Sequence, residues 1–260
     1  METSNDFRAL SQERFGAFAQ KYVNSKGHAR GGELDRLVAI SDPQPDWVIL
    51  DVATGGGHTA LRFAPLVARV VATDITPRML ERAQGFIEGQ GIGNVTFEPA
   101  DAEDLPFGDE AFDLVTCRIA PHHFPQPSGF VREGARVLRK GGMLLVQDHA
   151  MPEDPEAARY IDAFERLRDP SHNRGYAESE WVDMFHAAGL TVEHTEQIIK
   201  RHEFVPWAER QGCTAEVMEH LVAMVEQAPP GATEWMQPSA FGTPDAAFVN
   251  HHIIIAGHKS

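Results

Sequence analysis

The sequence predicts a doubly wound α/β domain, a mainly parallel sheet with helices on both faces. Three observations predict it. Apolar runs and amphipathic runs alternate five times between residues 47 and 148, the pattern of consecutive strand–helix units. The first apolar run breaks into Gly55-Gly56-Gly57, a turn whose backbone can take φ > 0 and let a ligand lie almost on the main chain. Asp74, Asp101, His122, His123, Asp148 and His149 fall just past predicted strand ends, where such sheets bind ligands.

The elements follow in order. Phe7, Leu10, Phe15, Phe18, Ala19 and Tyr22 recur at roughly helical spacing over residues 7–24, and Leu34, Leu37, Val38 and Ile40 mark a second helix over 32–40. After the loop 41–46, residues 47–52 are apolar except for Asp51, as a strand covered on both faces should be. A helix then runs from about His58 to Pro65. Its free N–H groups point back at the glycine turn. Residues 69–74 form strand two, closed by Asp74. Pro77 opens the next helix, as proline prefers. Residues 94–100 and 112–118 form strands three and four. A helix over 128–138 leads through a Gly141-Gly142 turn to strand five, residues 143–148. Residues 151–189 are mostly helical and stop at Gly189. Strand six covers 190–199, one or two helices cover 204–229, and a last strand covers 251–257. Three regions result: helices over 1–45 that cover the sheet, a cofactor core over 46–150, and a segment 151–260 that completes the sheet and carries cover helices at about 200–250.

Composition narrows the function. The chain has 260 residues, with 42% hydrophobic and 23% charged content, which is ordinary for a globular protein. No apolar run reaches the ~20 residues of a membrane helix. The polar, acidic start is no signal peptide. Two cysteines, Cys117 and Cys213, are too few for a disulfide framework or a cysteine zinc cluster. A cytoplasmic protein is the expectation. The formal charge of −15 argues against nucleic acid as a partner. It leaves a small molecule, with a monomer or a homodimer both open.

The glycine turn alone signals a nucleoside cofactor without saying which. Gly55-x-Gly57-x-x-Ala60 satisfies the dinucleotide fingerprint. The wider string discriminates: Asp51-Val-Ala-Thr-Gly-Gly-Gly-His58, Asp74, Asp101-Ala-Glu-Asp-Leu-Pro-Phe107, Phe112-Asp113 and Arg139-Lys-Gly-Gly142. It resembles the class I S-adenosylmethionine (SAM)-dependent methyltransferases, in particular the ubiquinone/menaquinone-biosynthesis type and the bacterial methyltransferases near it. The resemblance spans about residues 15–258. It implies a Rossmann-like sheet of seven strands, mostly parallel with a C-terminal antiparallel strand, under a helical lid. It departs from the family where Ala53 replaces the usual first loop glycine and Thr54 a smaller residue.

The residues themselves agree. An ionised acid ending strand two accepts hydrogen bonds from both ribose hydroxyls, which assigns Asp74. Asp101 with the Ala102 N–H suits the adenine edge. Asp51 lies toward the cofactor's ammonium group. Ala53, Thr54, Gly55, Gly57, Ile75, Met79 and Arg118 complete the expected cofactor contacts. An NAD-linked oxidoreductase is the rival reading. It also uses Gly55, Gly57 and Asp74 but has no place for Asp101-Ala102. A SAM-binding relative without catalysis is the other.

Methyl transfer from a sulfonium is an in-line displacement, so the enzyme mainly aligns the partners and excludes water. A base is needed when the acceptor is a carbon acid or a hydroxyl. His123, His122 and His172 are the candidates, set against histidines that merely bond loop carbonyls. No metal is expected, since adjacent histidines rarely ligate one ion. Phe164, Trp181, Phe185, Trp207, Trp235, Phe241 and Phe248 hint at a hydrophobic acceptor, although aromatic residues at helical spacing are more often core. The expected reaction is C- or O-methylation of a small, hydrophobic molecule.

Overall fold

The computed structural model describes residues 8–10, 12–15 and 32–260. Residues 8–10 and 12–15 are helical; Phe7, Phe18, Ala19 and Tyr22 of the expected first helix lie outside the described residues. The chain then runs α1 (Gly32–Ser41), β1 (Val48–Val52), α2 (His58–Phe63), β2 (Arg69–Asp74), α3 (Pro77–Glu88), β3 (Val95–Pro99), β4 (Phe112–Arg118), α4 (Pro127–Val137) and β5 (Leu138–Met151). It continues through α5 (Pro155–Arg168), β6 (Tyr176–Ala177), α6 (Glu178–Ala187), β7 (Leu190–Glu203), α7 (Phe204–Arg210), α8 (Ala215–Glu226), α9 (Pro230–Met236) and β8 (Ala247–Lys259).

The strand order is β3-β2-β1-β4-β5-β8-β7, with the short β6 beside β5. β1 to β5 are parallel, and β8 runs antiparallel to both β5 and β7. The order reverses between β1 and β4, the topological switch point where ligands bind in such sheets. Ile49, Leu50, Leu114, Val115, Leu144 and Ile254 are fully buried, as strands sandwiched between helices require. The expected Gly141-Gly142 turn lies inside β5. The strand begins earlier, pairing Phe112 with Leu138, and resumes at Leu114–Met143 after a register shift. Gly141 takes φ +76° there, a conformation that costs glycine little.

The aromatic residues of the second half are core. Trp181 and Phe185 of α6 pack under the central strands. Phe164, Trp207 and Phe248 form a second cluster, with Phe164 and Trp207 stacked at 5.3 Å and Trp207 against Phe248 at 4.7 Å. That cluster fastens α7, α8 and α9 to α5 and β8. These three helices form the whole insert between β7 and β8.

Gly57 closes the first loop and starts α2 with φ +82°. A Cβ there would meet Ile87 Cδ1 at 2.9 Å and Ala83 Cβ at 3.2 Å. Gly57 therefore lets α2 seat against α3 as well as turning the chain. Gly57→Ala adds left-handed strain to overpacking, together about 3 kcal/mol. In a chain of this size that lowers the melting temperature by about 6–12 °C, measurable by circular dichroism.

Candidate active site

A cleft opens where β1, β2 and β4 end. Its floor is the loop after β1. Ala53 takes φ +52° and Gly55 φ +55°, so alanine does occupy the left-handed region here, at about 1–2 kcal/mol. Two contacts hold it. The Thr54 N–H donates to the Thr73 carbonyl at 2.7 Å, and the Thr54 hydroxyl donates to Asp51 Oδ2 at 2.6 Å. Asp51 is buried and also accepts from Thr116 Oγ1 at 2.8 Å. Burial pushes its carboxyl up to about 6, against the pull of those hydroxyls and of Arg118.

Asp74 sits across the loop at the end of β2. Its Oδ2 accepts from the Gly55 N–H at 3.0 Å and its Oδ1 from the Thr76 N–H at 2.9 Å. Each oxygen keeps a lone pair for a ligand hydroxyl. Burial raises its pKa, opposed by those two N–H groups. Ile75 and Met79 line the cleft beside it. Asp101 and Ala102 follow β3 and line the far end. Asp101 Oδ2 pairs with Arg8 Nε at 2.7 Å, while Glu103 Oε2 takes Arg8 Nη2 at 2.7 Å.

Arg118 ends β4 and its side chain is only 6% exposed. Its Nε donates to Thr59 Oγ1 at 3.2 Å, and Glu33 lies 4.0 Å from Nη1. Burial lowers its pKa, and the charges of Glu33 and Asp51 oppose that. Ile119 follows with φ +54°, an outlier for a β-branched residue. Its N–H holds the strain by donating to the Gln147 carbonyl at 2.7 Å. Such strain, of order 1–3 kcal/mol, clusters at functional sites.

His123 lines the cleft with Phe124 and Pro125. Its Nδ1 lies 2.9 Å from the Ser171 carbonyl, and Phe15 meets the ring edge-on at 4.9 Å. Burial lowers its pKa, partly offset by Asp169 and by that carbonyl. His122 and His172, also singled out from the sequence, do not line the cleft. Both are buried behind His123: His122 Nδ1 contacts Asp148 Oδ1 at 2.6 Å, and His172 Nε2 contacts Asp162 Oδ1 at 2.8 Å. Burial pushes Asp148 up to about 7 and His122 well down. Gly57 also stays off the cleft wall, turned toward α3.

Several lining residues were not singled out from the sequence as site residues, because they reach the cleft from other elements. Arg8 and Phe15 come from the N-terminal segment, which also sets Gln12 Nε2 2.8 Å from the Ile75 carbonyl. Thr59 and His58 come from the start of α2. Their place beside three glycines was the one available clue.

The buried histidines make a pH prediction. His252 is 3% exposed. Burial holds its pKa well below the usual imidazole value, with His149, Lys200, His122 and His202 adding to the effect. A base depressed in the folded state takes up its proton on unfolding. No stability is lost above the unfolded value of about 6.5, and stability falls as pH drops below it. His149 and His122 act in the same direction. Asp51 and Asp148 oppose it, since a raised carboxyl favours folding toward low pH. The melting temperature should fall between pH 7.5 and 5.5, and His252→Gln should flatten the fall. An unchanged slope in that variant would contradict the assignment.

Comparison with known proteins agrees with this geometry. Residues 50–146 match the methyltransferase domain family model. The methyltransferase YcgJ of Bacillus subtilis is 36% identical over 214 residues, 82% of this chain and 85% of that protein. Its crystal structure superposes with a TM-score of 0.84 over 87% of this chain and 97% of that one, at 34% identity. The BH2331 protein of Bacillus halodurans C-125 gives a TM-score of 0.84 at 38% identity, covering 88% of this chain and 99% of that one. The ubiquinone/menaquinone biosynthesis C-methyltransferase UbiE of Ectopseudomonas mendocina is 35% identical over 161 residues, 58% of this chain and 62% of its own length. The nicotinamide reading of the glycine fingerprint gives way to these matches. With a switch-point cleft, a glycine loop and relatives that align across most of its length, the chain belongs to the methyltransferase domain family as a class I enzyme whose cofactor is S-adenosyl-L-methionine.

Proposed function

We propose that the enzyme methylates carbon or oxygen on a small, hydrophobic organic acceptor, with His123 as the base. One observation carries the proposal. The His123 ring lines the cleft while its Nδ1 faces a backbone carbonyl. A carbonyl only accepts, so Nδ1 holds the proton and Nε2 carries the lone pair. Burial keeps the ring neutral at neutral pH, so that lone pair is available to an acceptor. Phe15, Phe124 and Pro125 make its surroundings apolar. The name of the UbiE relative, a C-methyltransferase of quinone biosynthesis, supports an apolar ring as acceptor.

When bound, SAM supplies an activated methyl group on a positively charged sulfur. The chain holds the partners in line, removes the acceptor's proton and excludes water. Asp74 takes the ribose hydroxyls. Asp101 and the Ala102 N–H take the adenine edge. Arg118 takes the carboxylate, and Asp51, tied into the loop, biases the floor toward the ammonium group. Ala53, Thr54, Gly55, Ile75 and Met79 shape the wall. Gly57 contributes by seating α2. His122 and His172 back up His123 and do not meet the acceptor. The segment before β1 covers the cleft through Arg8, Gln12 and Phe15, and α7 to α9 cover the sheet beside it. The formal charge of −15 disfavours nucleic acid. Both cysteines are free, and burial raises the Cys117 thiol well above its usual range, consistent with a cytoplasmic protein. No helix among the described residues is long and apolar enough to cross a membrane.

The test is S-adenosylhomocysteine release with a panel of phenols, quinols and activated-methylene compounds. Turnover on an apolar ring is expected. Tight SAM binding without turnover across the panel would favour the non-catalytic SAM binder.

A further inference from the structure

We propose that His122, His149 and His172 form a binding site for a divalent cation of the zinc type, one ring behind the cleft. The three residues come from separate segments: the turn after β4, the end of β5 and the loop after α5. One ring nitrogen from each lies within 4.8 Å of the others. The set avoids using two neighbours on one ion, because His123 stays in the cleft and only His122 of that pair joins it.

The surrounding acids prepare two of the rings. Asp148 Oδ1 lies 2.6 Å from His122 Nδ1, and Asp162 Oδ1 lies 2.8 Å from His172 Nε2. When ionised, each carboxylate only accepts, and those nitrogens then carry the protons. Nε2 of His122 and Nδ1 of His172 are left with lone pairs. A carboxylate behind each ligating imidazole is the usual arrangement at zinc. Asp162 is itself fixed by the Gly175 N–H at 2.8 Å. Asp148 Oδ2 is buried with no hydrogen-bond partner among the described residues, so one oxygen beside the rings is unused. A divalent ion on the rings would offset the charge that Asp148 and Asp162 carry when ionised. Arg168 is balanced by Glu165 at 3.7 Å.

His149 completes the set by turning. It lies flat on His122, with centroids 4.3 Å apart and planes 11° apart, so its lone pair runs parallel to its neighbour's plane. A tetrahedral ion at about 2.0–2.1 Å holds its nitrogens about 3.4 Å apart. Rotation of this one ring, which makes no hydrogen bond among the described residues and is only partly buried, brings the third lone pair in. Three imidazoles select zinc, cobalt or nickel over magnesium or calcium, which want oxygen. They also leave a fourth position for water or a ligand oxygen.

The whole 260-residue chain is dialysed against a chelator, then titrated with Zn²⁺ by calorimetry and with Co²⁺ by absorption. One ion per chain at micromolar affinity and a tetrahedral cobalt spectrum are expected. His149→Ala and His172→Ala should each weaken binding at least about 100-fold, and Asp162→Asn about 10-fold. His258→Ala, at the far end of β8 from the three rings, should change nothing. Should His172→Ala fail to fold, His149→Ala decides alone, since its ring is partly exposed and forms no hydrogen bond among the described residues. No stoichiometric uptake, or uptake unaffected by His149→Ala, overturns the site. SAM titrated in parallel separates this outcome from a failure of the cofactor assignment.

Discussion

Asp74→Ala should weaken SAM binding at least about 100-fold, by removing two charge-assisted hydrogen bonds worth roughly 1.5–3 kcal/mol each. Calorimetric titration measures it. From the sequence, the acid's worth lies in ligand contacts alone, and the folded protein should not notice its loss. The structure adds a second role. Asp74 also holds the Gly55 and Thr76 N–H groups, and alanine leaves both without their partner. The melting temperature should therefore fall as well, by the several degrees that about 1–3 kcal/mol implies. Asp74→Asn separates the roles. One oxygen survives to brace one of the two N–H groups while the amide nitrogen faces the other, so only part of the stability should return and the diol clamp stays crippled. Unchanged SAM affinity in Asp74→Ala would remove this residue from the cofactor site.

His123→Ala should lower kcat by about 10²- to 10⁴-fold, the usual worth of a general base, with SAM affinity nearly unchanged. The residue lines the cleft but stands after β4, away from Asp74 and Asp101 after β2 and β3. Single-turnover kinetics with an established acceptor would show it. Turnover should also decline as pH falls through the pKa of His123, which burial has lowered, because protonation consumes the lone pair. His123→Gln keeps a hydrogen-bonding side chain and should not rescue the rate if proton removal is the function. A rate that survives both variants would mean that alignment alone drives transfer, with no base.

Part of this site was legible from the chain alone because its chemistry is local. Asp51, Ala53, Thr54 and Gly55 lie within one turn. Asp74 and Asp101 each sit directly after an apolar run, and short-range pattern marks strand ends well. Gly57 carried a sequence signal that the structure reads differently. Its missing Cβ makes room for Ile87 and Ala83, side chains some thirty residues away. The aromatic residues of the second half were ambiguous for the same reason. Helical spacing makes Phe164 and Trp207 apolar, but only their stacking at 5.3 Å shows that they serve the core.

The four clustered histidines divide most clearly. Sequence placed His122, His123 and His149 just past strand ends and offered His123, His122 and His172 as candidate bases. The fold separates one from three, with His123 in the cleft, His122 and His172 behind it against Asp148 and Asp162, and His149 stacked on His122. The linear chain therefore determined the five parallel strands, the glycine loop and the acids that follow it, since each depends on residues close in sequence, but it did not show that β3 runs to β4 without a helix or that Tyr176–Ala177 forms β6. Only the tertiary structure decided which ring lines the cleft, which rings meet each other, and that Arg8 reaches Asp101. Those contacts join segments tens of residues apart, and packing across the sheet, which no local pattern encodes, sets their distances.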